Sequence, residues 1–128
     1  MNKRVLITGI NGLLSQNIVQ EFSSDHEIYG LDLTPSIFGS SHNIQVEQID
    51  LNDTMALEVY VNQVKPDSII HTAAYTNVDR AEDDQDLAFA LNGKVPAAIA
   101  LICKNNDIPL IHISTDYVFS GDSGPYRE

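Results

Sequence analysis

Residues 4–22, RVLITGINGLLSQNIVQEF, constrain the fold of this chain more than any other stretch. The apolar run 5–7 is typical of a short strand buried on both faces, and Gly9 and Gly12 follow it. The next apolar residues lie four positions apart, on one face of a predicted helix: Leu14, Ile18 and Phe22. Because glycine has no Cβ, the backbone N–H groups of such a turn approach a ligand closely, and the helix N-terminus behind it favours a diphosphate. This order predicts the pyrophosphate cradle of a dinucleotide.

The glycine spacing alone does not require a nucleotide. Gly9, Gly12 and Ser15 do not match G-x-G-x-x-G, and two glycines between a strand and a helix can serve only to turn the chain. The context favours the nucleotide, because a second predicted strand carries Asp32 twenty positions beyond Gly12. A carboxylate near that offset accepts hydrogen bonds from the adenosine ribose hydroxyls.

The composition of the chain limits the kinds of partner that it is expected to bind. The 128 residues suffice for one domain, residues 1–128, and a net charge of -11 argues against nucleic acid or an anionic membrane as partner. The chain opens on a predicted strand without a signal-peptide pattern, and no apolar run is expected to approach membrane-spanning length, so we expect a cytoplasmic protein. The acidic residues within 79–86 have no interleaved His or Cys, and Cys103 is single, so neither a metal site nor an intramolecular disulfide is predicted.

Strands and helices alternate along the chain, which favours an α/β fold, a doubly wound parallel sheet of about five strands. The predicted strands are residues 5–7, 27–33, 44–49, 68–73 and 110–114. One further helix is capped near residues 52–54 and ended by Pro66, and another spans residues 85–105, where Pro96 kinks or splits it. Ligands of such sheets bind outside the carboxyl ends of the strands. Small and polar residues gather at those ends: residues 9–14, Asp32, Asp50, Leu51, residues 73–76 and residues 114–117.

Three phrases of the sequence resemble a known superfamily. They are ITGINGLL from Ile7, HTAAYTNVDRAEDD from His71 and HISTDYVFSGDSGPY from His112. They are similar to the extended short-chain dehydrogenase/reductases and, within these, most similar to dTDP-4-dehydrorhamnose reductases. The resemblance runs from Arg4 to the end of the chain and implies a Rossmann-like NAD(P)-binding fold.

The resemblance also implies a role for each matching position. The residues that would hold the NAD(P) pyrophosphate are Asn11, Gly12 and Leu13, and Gly9 and Leu14 belong to the same expected cofactor site. Asp32 would bind the adenosine ribose, and the residues flanking the adenine would be Asp50 and Leu51. The path toward the nicotinamide would be lined by Ala73, Ala74 and Tyr75.

On the substrate side, Thr115 would hydrogen-bond the substrate carbonyl. Asp116 and Tyr117 would lie beside the sugar nucleotide. Asn92 falls where the superfamily often places a structural or proton-relay asparagine.

The family reaction is hydride transfer from NAD(P)H to the C4 keto group of a dTDP-linked deoxysugar, with the tyrosine of a Tyr-x-x-x-Lys motif as proton donor. No tyrosine of this sequence has a lysine four positions later. The resemblance therefore describes the cofactor-binding portion of such a reductase with its C-terminal part missing, and we expect no turnover from this portion alone. Ser15 replaces the third family glycine, and Leu33 follows Asp32 where an arginine would favour a 2′-phosphate, so NAD is expected over NADP.

Two other functions stay open at this point. One is a non-catalytic binding module, like the regulatory subunit of methionine adenosyltransferase, which has the same fold. The other is a sugar-nucleotide epimerase or dehydratase of the same superfamily. The apolar fifth strand is expected to form an unprotected sheet edge, which predicts a homo-oligomer through that edge.

Overall fold

The chain forms a parallel sheet flanked by helices. The computed structural model describes residues 2–39, 43–115 and 118–127. Its strands are β1 (Lys3–Thr8), β2 (His26–Asp32), β3 (Ile44–Gln48), β4 (Ser68–His71) and β5 (Leu110–His112). Its α-helices are α1 (Leu13–Phe22), α2 (Thr54–Val64), α3 (Val78–Asp83), α4 (Gln85–Phe89) and α5 (Val95–Asn105), with a π-helical segment at Ala90–Lys94 between the last two. Within the described ranges the sheet has five strands in the order β3-β2-β1-β4-β5, all parallel.

Both faces of this sheet are covered, which confirms the predicted doubly wound α/β fold. Alternate residues of β1 point to opposite faces, as the strand period of two requires. The residues buried on the α1 side include Val5, Ile7, Val19, Ile28 and Ile70. Those buried on the side of α2 and α5 include Leu6, Leu57, Val61, Ile69, Val95 and Ile99. The core therefore lies along the middle of the sheet, and the strand ends are left to form a site.

The predicted apolar face of α1 is wrong at two of its three residues. Leu14 is 46% exposed and Phe22 is 39% exposed, whereas the buried residues of this helix are Ser15 and Val19. Ile18 of the predicted face packs against the core, beside the small Ser15 that lets α1 approach the sheet closely. The four-residue spacing of apolar residues predicted one face of α1 as buried, but the face that packs against the sheet includes the small Ser15.

Helix α2 follows the prediction closely. Asp53 is its N-cap, and the Oδ1 atom of Asp53 accepts a hydrogen bond of 3.0 Å from the N–H of Ala56. The helix ends at Val64, and Lys65 takes a left-handed conformation with φ 50 directly before Pro66.

The long helical stretch ahead of β5 is interrupted where Pro96 predicts it. The π-helical segment ends at Lys94, two residues before Pro96, which sits in the first turn of α5. By length and composition Gln85–Asn105 could cross a membrane, with a mean hydropathy of 1.4, so the expectation that no apolar run reaches that length is wrong. Here Val95, Ile99 and Ile102 of this stretch are buried against the sheet, as in a crossover helix of a parallel fold. The cytoplasmic location of the protein stays a prediction.

Strands β3, β4 and β5 end earlier than predicted, at Gln48, His71 and His112. The first residues beyond these ends, Ile49, Thr72 and Ile113, each still donate one backbone hydrogen bond to the neighbouring strand, and the chain then leaves the sheet as separate loops at one rim. Strand β5 lies at the edge of the sheet, and Ile111 and Ile113 beside that edge are 54% and 43% exposed.

Candidate functional site

A cavity of about 720 Å³ lies at the carboxyl ends of the strands. Its lining comes from the glycine turn after β1, the exits of β2, β3 and β4, and the start of the long helical stretch. The predicted cofactor residues among the lining are Gly9, Gly12, Leu13, Leu14, Asp32, Asp50, Leu51, Ala73, Ala74 and Tyr75. Sequence reasoning therefore located the cavity, although the role of each residue in it stays a prediction.

The glycine turn packs against the exit of β4 more closely than a side chain would allow. Gly9 has φ +68, and a Cβ built on it would lie 2.9 Å from both the Cα and the N of Ala73. Gly12 is the N-cap of α1, and a Cβ there would lie 3.1 Å from the carbonyl oxygen of Gly9. Helix geometry leaves the first N–H groups of α1 without intrahelical acceptors. The turn thus brings the positive end of the helix dipole to the cavity.

Asp32 ends β2 with its carboxylate already oriented. Its Oδ2 atom accepts a hydrogen bond of 3.0 Å from the backbone N–H of Asn11. Its Oδ1 atom accepts from the N–H of Thr34 at 3.1 Å and from the Thr34 hydroxyl at 2.9 Å. Because an ionised carboxylate offers about four acceptor positions, one position remains for an added hydroxyl donor.

Asn11 is not among the described residues that line the cavity, and its expected role at the pyrophosphate stays a prediction. Its backbone N–H is taken by Asp32. Its side chain points away, to the loop after β2, where Nδ2 donates to the Thr34 Oγ1 and the Pro35 carbonyl, each at 2.9 Å. Within this structure, the donors of Asn11 serve the protein itself.

Ser15, which stands where the family has a third glycine, is hydrogen-bonded to the exit of β4. Its Oγ lies 2.7 Å from Thr72 Oγ1, and Thr72 Oγ1 in turn donates to the carbonyl oxygen of Thr8 at 2.7 Å. Since the single hydroxyl proton of Thr72 goes to Thr8, Ser15 is the donor of the pair. The substitution thus ties α1 to β4 at the wall of the cavity.

Asn92 positions the loop that carries Tyr75. Its Oδ1 accepts from the N–H of Tyr75 at 2.8 Å, and its Nδ2 donates to the carbonyl of Tyr75 at 3.0 Å. Asn92 lies in the π-helical segment and has a structural role in this pairing, and whether it also relays protons stays a prediction. The phenol of Tyr75 donates to Asp84 at 3.1 Å. Desolvation and this bond to Asp84 raise the pKa of Tyr75, so its phenol remains a neutral hydrogen-bond donor.

His71 is buried at the end of β4, directly below the cavity wall. Its Nδ1 lies 2.6 Å from the Thr8 hydroxyl, and its ring stacks on His112 with the centroids 5.2 Å apart. Its Nε2 is buried with no hydrogen-bond partner in the described part of the chain. Burial, with a smaller contribution from His112, lowers the pKa of His71 to about 4, so the imidazole is neutral at pH 7.

The residues predicted to contact the substrate do not line this cavity or lie outside the described residues. Thr115 is exposed and does not line the cavity, so its role toward a substrate carbonyl stays a prediction. Asp116 and Tyr117 lie outside the described residues. Thr76, which the sequence places at this rim, also lines the cavity, whereas sequence reasoning missed these lining residues: Leu33, Ile49, Asn52, Thr72, Leu87 and Leu91. Leu87 and Leu91 share the four-residue spacing of the buried Val95 and Ile99, and helical periodicity cannot distinguish the core from a cavity beside it.

The residues present fit a dinucleotide. The glycine turn is a cradle that a Cβ would fill, and Asp32 keeps one acceptor position for a ribose hydroxyl. Within the described ranges, no group of three or more His, Cys, Asp or Glu side chains could hold a metal ion. Fold and site together define a nucleotide-binding domain of the Rossmann type.

The chain belongs to the family described as the RmlD substrate binding domain, whose model matches residues 3–128. A probable low-salt glycan biosynthesis reductase of Haloferax volcanii is 33% identical over 95% of this chain. A dTDP-4-dehydrorhamnose reductase of Streptomyces griseus is 34% identical over 98% of it. This chain spans 40% and 38% of the lengths of these two relatives.

Solved structures agree with the fold. The dTDP-4-dehydrorhamnose reductase of Bacillus anthracis, solved in complex with NADP, superposes with a TM-score of 0.80 at 34% identity, over 96% of this chain and 40% of that one. A Bordetella bronchiseptica enzyme solved with NAD superposes with a TM-score of 0.82 at 23% identity, over 91% of this chain and 38% of that one, and shows the fold alone.

Proposed function

We propose that this chain is the cofactor-binding portion of a reductase that transfers hydride from NAD(P)H to the C4 keto group of a dTDP-linked deoxysugar, as in dTDP-L-rhamnose biosynthesis. The observation that supports this most is the rim cavity, where a glycine turn, a helix N-terminus and the Asp32 carboxylate converge. Relatives named as reductases of such sugars support the substrate class.

Each part of the cavity has a separate task in this proposal. The N–H groups at the start of α1 bind the diphosphate, and the remaining acceptor position of Asp32 binds a ribose hydroxyl. Asp50 and Leu51 flank the adenine. Ala73, Ala74 and Tyr75, held by Asn92, form the wall along which the nicotinamide lies. The bound cofactor supplies the hydride.

The proton donor of the reaction is not among the groups of this cavity. The pKa of Tyr75 is raised, which disfavours a phenol poised to exchange its proton near neutral pH. Hydrogen bonds from Ser120 and Ser123 lower the pKa of Tyr126 to about 8, but Tyr126 does not line the cavity. With Thr115 at the substrate carbonyl and no Tyr-x-x-x-Lys pair, we expect the chain by itself to bind cofactor without turning over.

We favour NAD over NADP. The described lining residues include the carboxylates of Asp32 and Asp50 and no lysine or arginine. A 2′-phosphate at the adenosine ribose would lie against the Asp32 carboxylate without a cation to offset the repulsion.

The test is a titration of this chain with NADH and separately with NADPH, followed by the fluorescence of the reduced nicotinamide. We expect saturable binding, tighter for NADH, and a rise of about tenfold or more in the NADH dissociation constant for Asp32→Ala, because a charge-assisted hydrogen bond is lost. The matched control is Asp25→Ala, which removes an exposed carboxylate outside the cavity. Equal effects of the two variants, or no binding by the unmodified chain, contradict the proposal.

A non-catalytic module is the second candidate. Methionine adenosyltransferase 2 subunit beta of Xenopus laevis is 34% identical over 99% of this chain, which spans 36% of that protein. This identity supports the non-catalytic candidate, whereas dTDP binding in the presence of NADH would favour the reductase. Structural likeness to epimerases below 25% identity concerns the fold alone and favours neither.

We also propose that this chain associates with itself through the edge of β5. Exposed Ile111 and Ile113 beside unpaired backbone groups form a surface on which a second strand can pair. Sedimentation equilibrium at high micromolar concentration should show a dimer, and a clean monomer would count against the proposal.

A further inference from the structure

Asn11 joins the glycine turn to the loop after β2. Its Nδ2 donates to Thr34 Oγ1 and to the Pro35 carbonyl, each at 2.9 Å. Its Oδ1 accepts from the N–H of Ile37 at 3.2 Å. We call these contacts of the Asn11 side chain with residues 34–37 the Asn11 clasp. These contacts connect the turn after β1 with the loop after β2, so the turn and the loop are held together.

The clasp also orients the carboxylate of Asp32. Thr34 Oγ1 accepts a hydrogen bond from Asn11 Nδ2 and donates a hydrogen bond of 2.9 Å to Asp32 Oδ1. Because a hydroxyl has one proton, the donation by Asn11 leaves that proton free to point at Asp32. The backbone N–H of Asn11 fixes the other oxygen, Asp32 Oδ2, at 3.0 Å. Both carboxylate oxygens are therefore placed by contacts that involve Asn11 directly or through Thr34.

We propose that Asn11 is a positioning residue that sets the discrimination between NAD and NADP. This inference rests on the proposed function. The clasp holds the Asp32 carboxylate where one acceptor position can meet the ribose 2′-hydroxyl. It also fixes the conformation of residues 33–37, which include no cation that could compensate the charge of a 2′-phosphate. Because the clasp keeps Asp32 from shifting, the carboxylate does not make room for that phosphate.

The test compares Asn11→Ala with Asn17→Ala. Asn17 is an exposed asparagine of α1, and its Nδ2 bonds only within its own helix, to the carbonyl of Leu13. We expect Asn11→Ala to raise the dissociation constant of NADH about fivefold to tenfold and that of NADPH less than about twofold, so the preference for NADH falls about fivefold. Asn17→Ala should leave both constants unchanged. A diphosphate-binding role of Asn11 would instead weaken both cofactors equally, and that result overturns the inference.

Thr34→Val gives a second measurement that does not depend on the folding of Asn11→Ala. Valine keeps the branched shape of threonine and removes the hydroxyl shared by Asn11 and Asp32. The preference for NADH should again fall. In the double variant Asn11→Ala/Thr34→Val, this preference should fall by less than the product of the two single-variant factors, because both substitutions break the same chain of hydrogen bonds. An unchanged preference in both single variants overturns the inference alone. No cofactor binding by the unmodified chain overturns the proposed function, and this inference with it.

Discussion

Replacing Gly9 by alanine is expected to lower the free energy of unfolding by about 2–5 kcal/mol and to weaken NADH binding at least about tenfold. Two costs add. Gly9 has φ +68, where a Cβ costs about 1–2 kcal/mol. The new Cβ would also lie 2.9 Å from the backbone of Ala73, and backbone atoms cannot move aside as a side-chain tip can, so overpacking adds about 1–3 kcal/mol.

The matched control for this variant is Gly121→Ala. Gly121 also has a positive φ, +86, but a Cβ there meets no heavy atom within 4 Å. Gly121→Ala should therefore cost only the backbone strain, about 1–2 kcal/mol. Urea unfolding of the two variants measures the difference, which isolates the contact with Ala73. Equal losses would show that the close approach of the glycine turn to β4 contributes nothing to stability.

The chain is expected to lose about 2 kcal/mol of unfolding free energy between about pH 7.5 and pH 5 because of His71. Burial lowers the pKa of this imidazole from 6.5 to about 4. The unfolded chain therefore binds a proton more readily than the folded chain. The stability is fully present above about pH 6.5 and falls as the pH drops through the unfolded pKa toward the folded one, with the total loss near 3 kcal/mol.

His71→Gln should flatten this dependence, since glutamine does not titrate, although the variant loses some stability at pH 7.5. His112→Gln is the control, because His112 is exposed and is the stacking partner. It should keep most of the dependence. Urea unfolding at closely spaced pH values distinguishes the two variants, and the same slope in wild type and His71→Gln would show that other groups cause the acid sensitivity.

Much of the fold could be predicted because its signals are local. The glycine turn, the Asp53 cap of α2 and the interruption before Pro96 each depend on residues within a few positions of one another. The convergence of the strand exits then follows from the parallel topology. The cavity could be located in this way before any contact was known.

The details that could not be predicted depend on residues far apart in the sequence. Asn11 pairs with the loop after β2 because that loop folds back on the turn, and no local signal marks this. The sequence marks Ser15 only as a replacement for the third family glycine, whereas its bond to Thr72 depends on how α1 lies against β4. The packed face of α1 is a third case, because Ser15 and Val19 are buried there while Leu14 and Phe22 of the predicted face are exposed.

The most direct test of the central claim, that the rim cavity binds a dinucleotide, is an NMR titration of isotopically labelled chain with NADH. The account predicts saturable shifts of backbone amides at Gly9, Gly12, Leu13, Asp32 and Ala73. A second cavity, of about 470 Å³, is lined by residues that include Arg4, Tyr29 and Tyr60, and it provides an internal comparison. Shifts confined to that second cavity, or no shifts at millimolar NADH, would contradict the account.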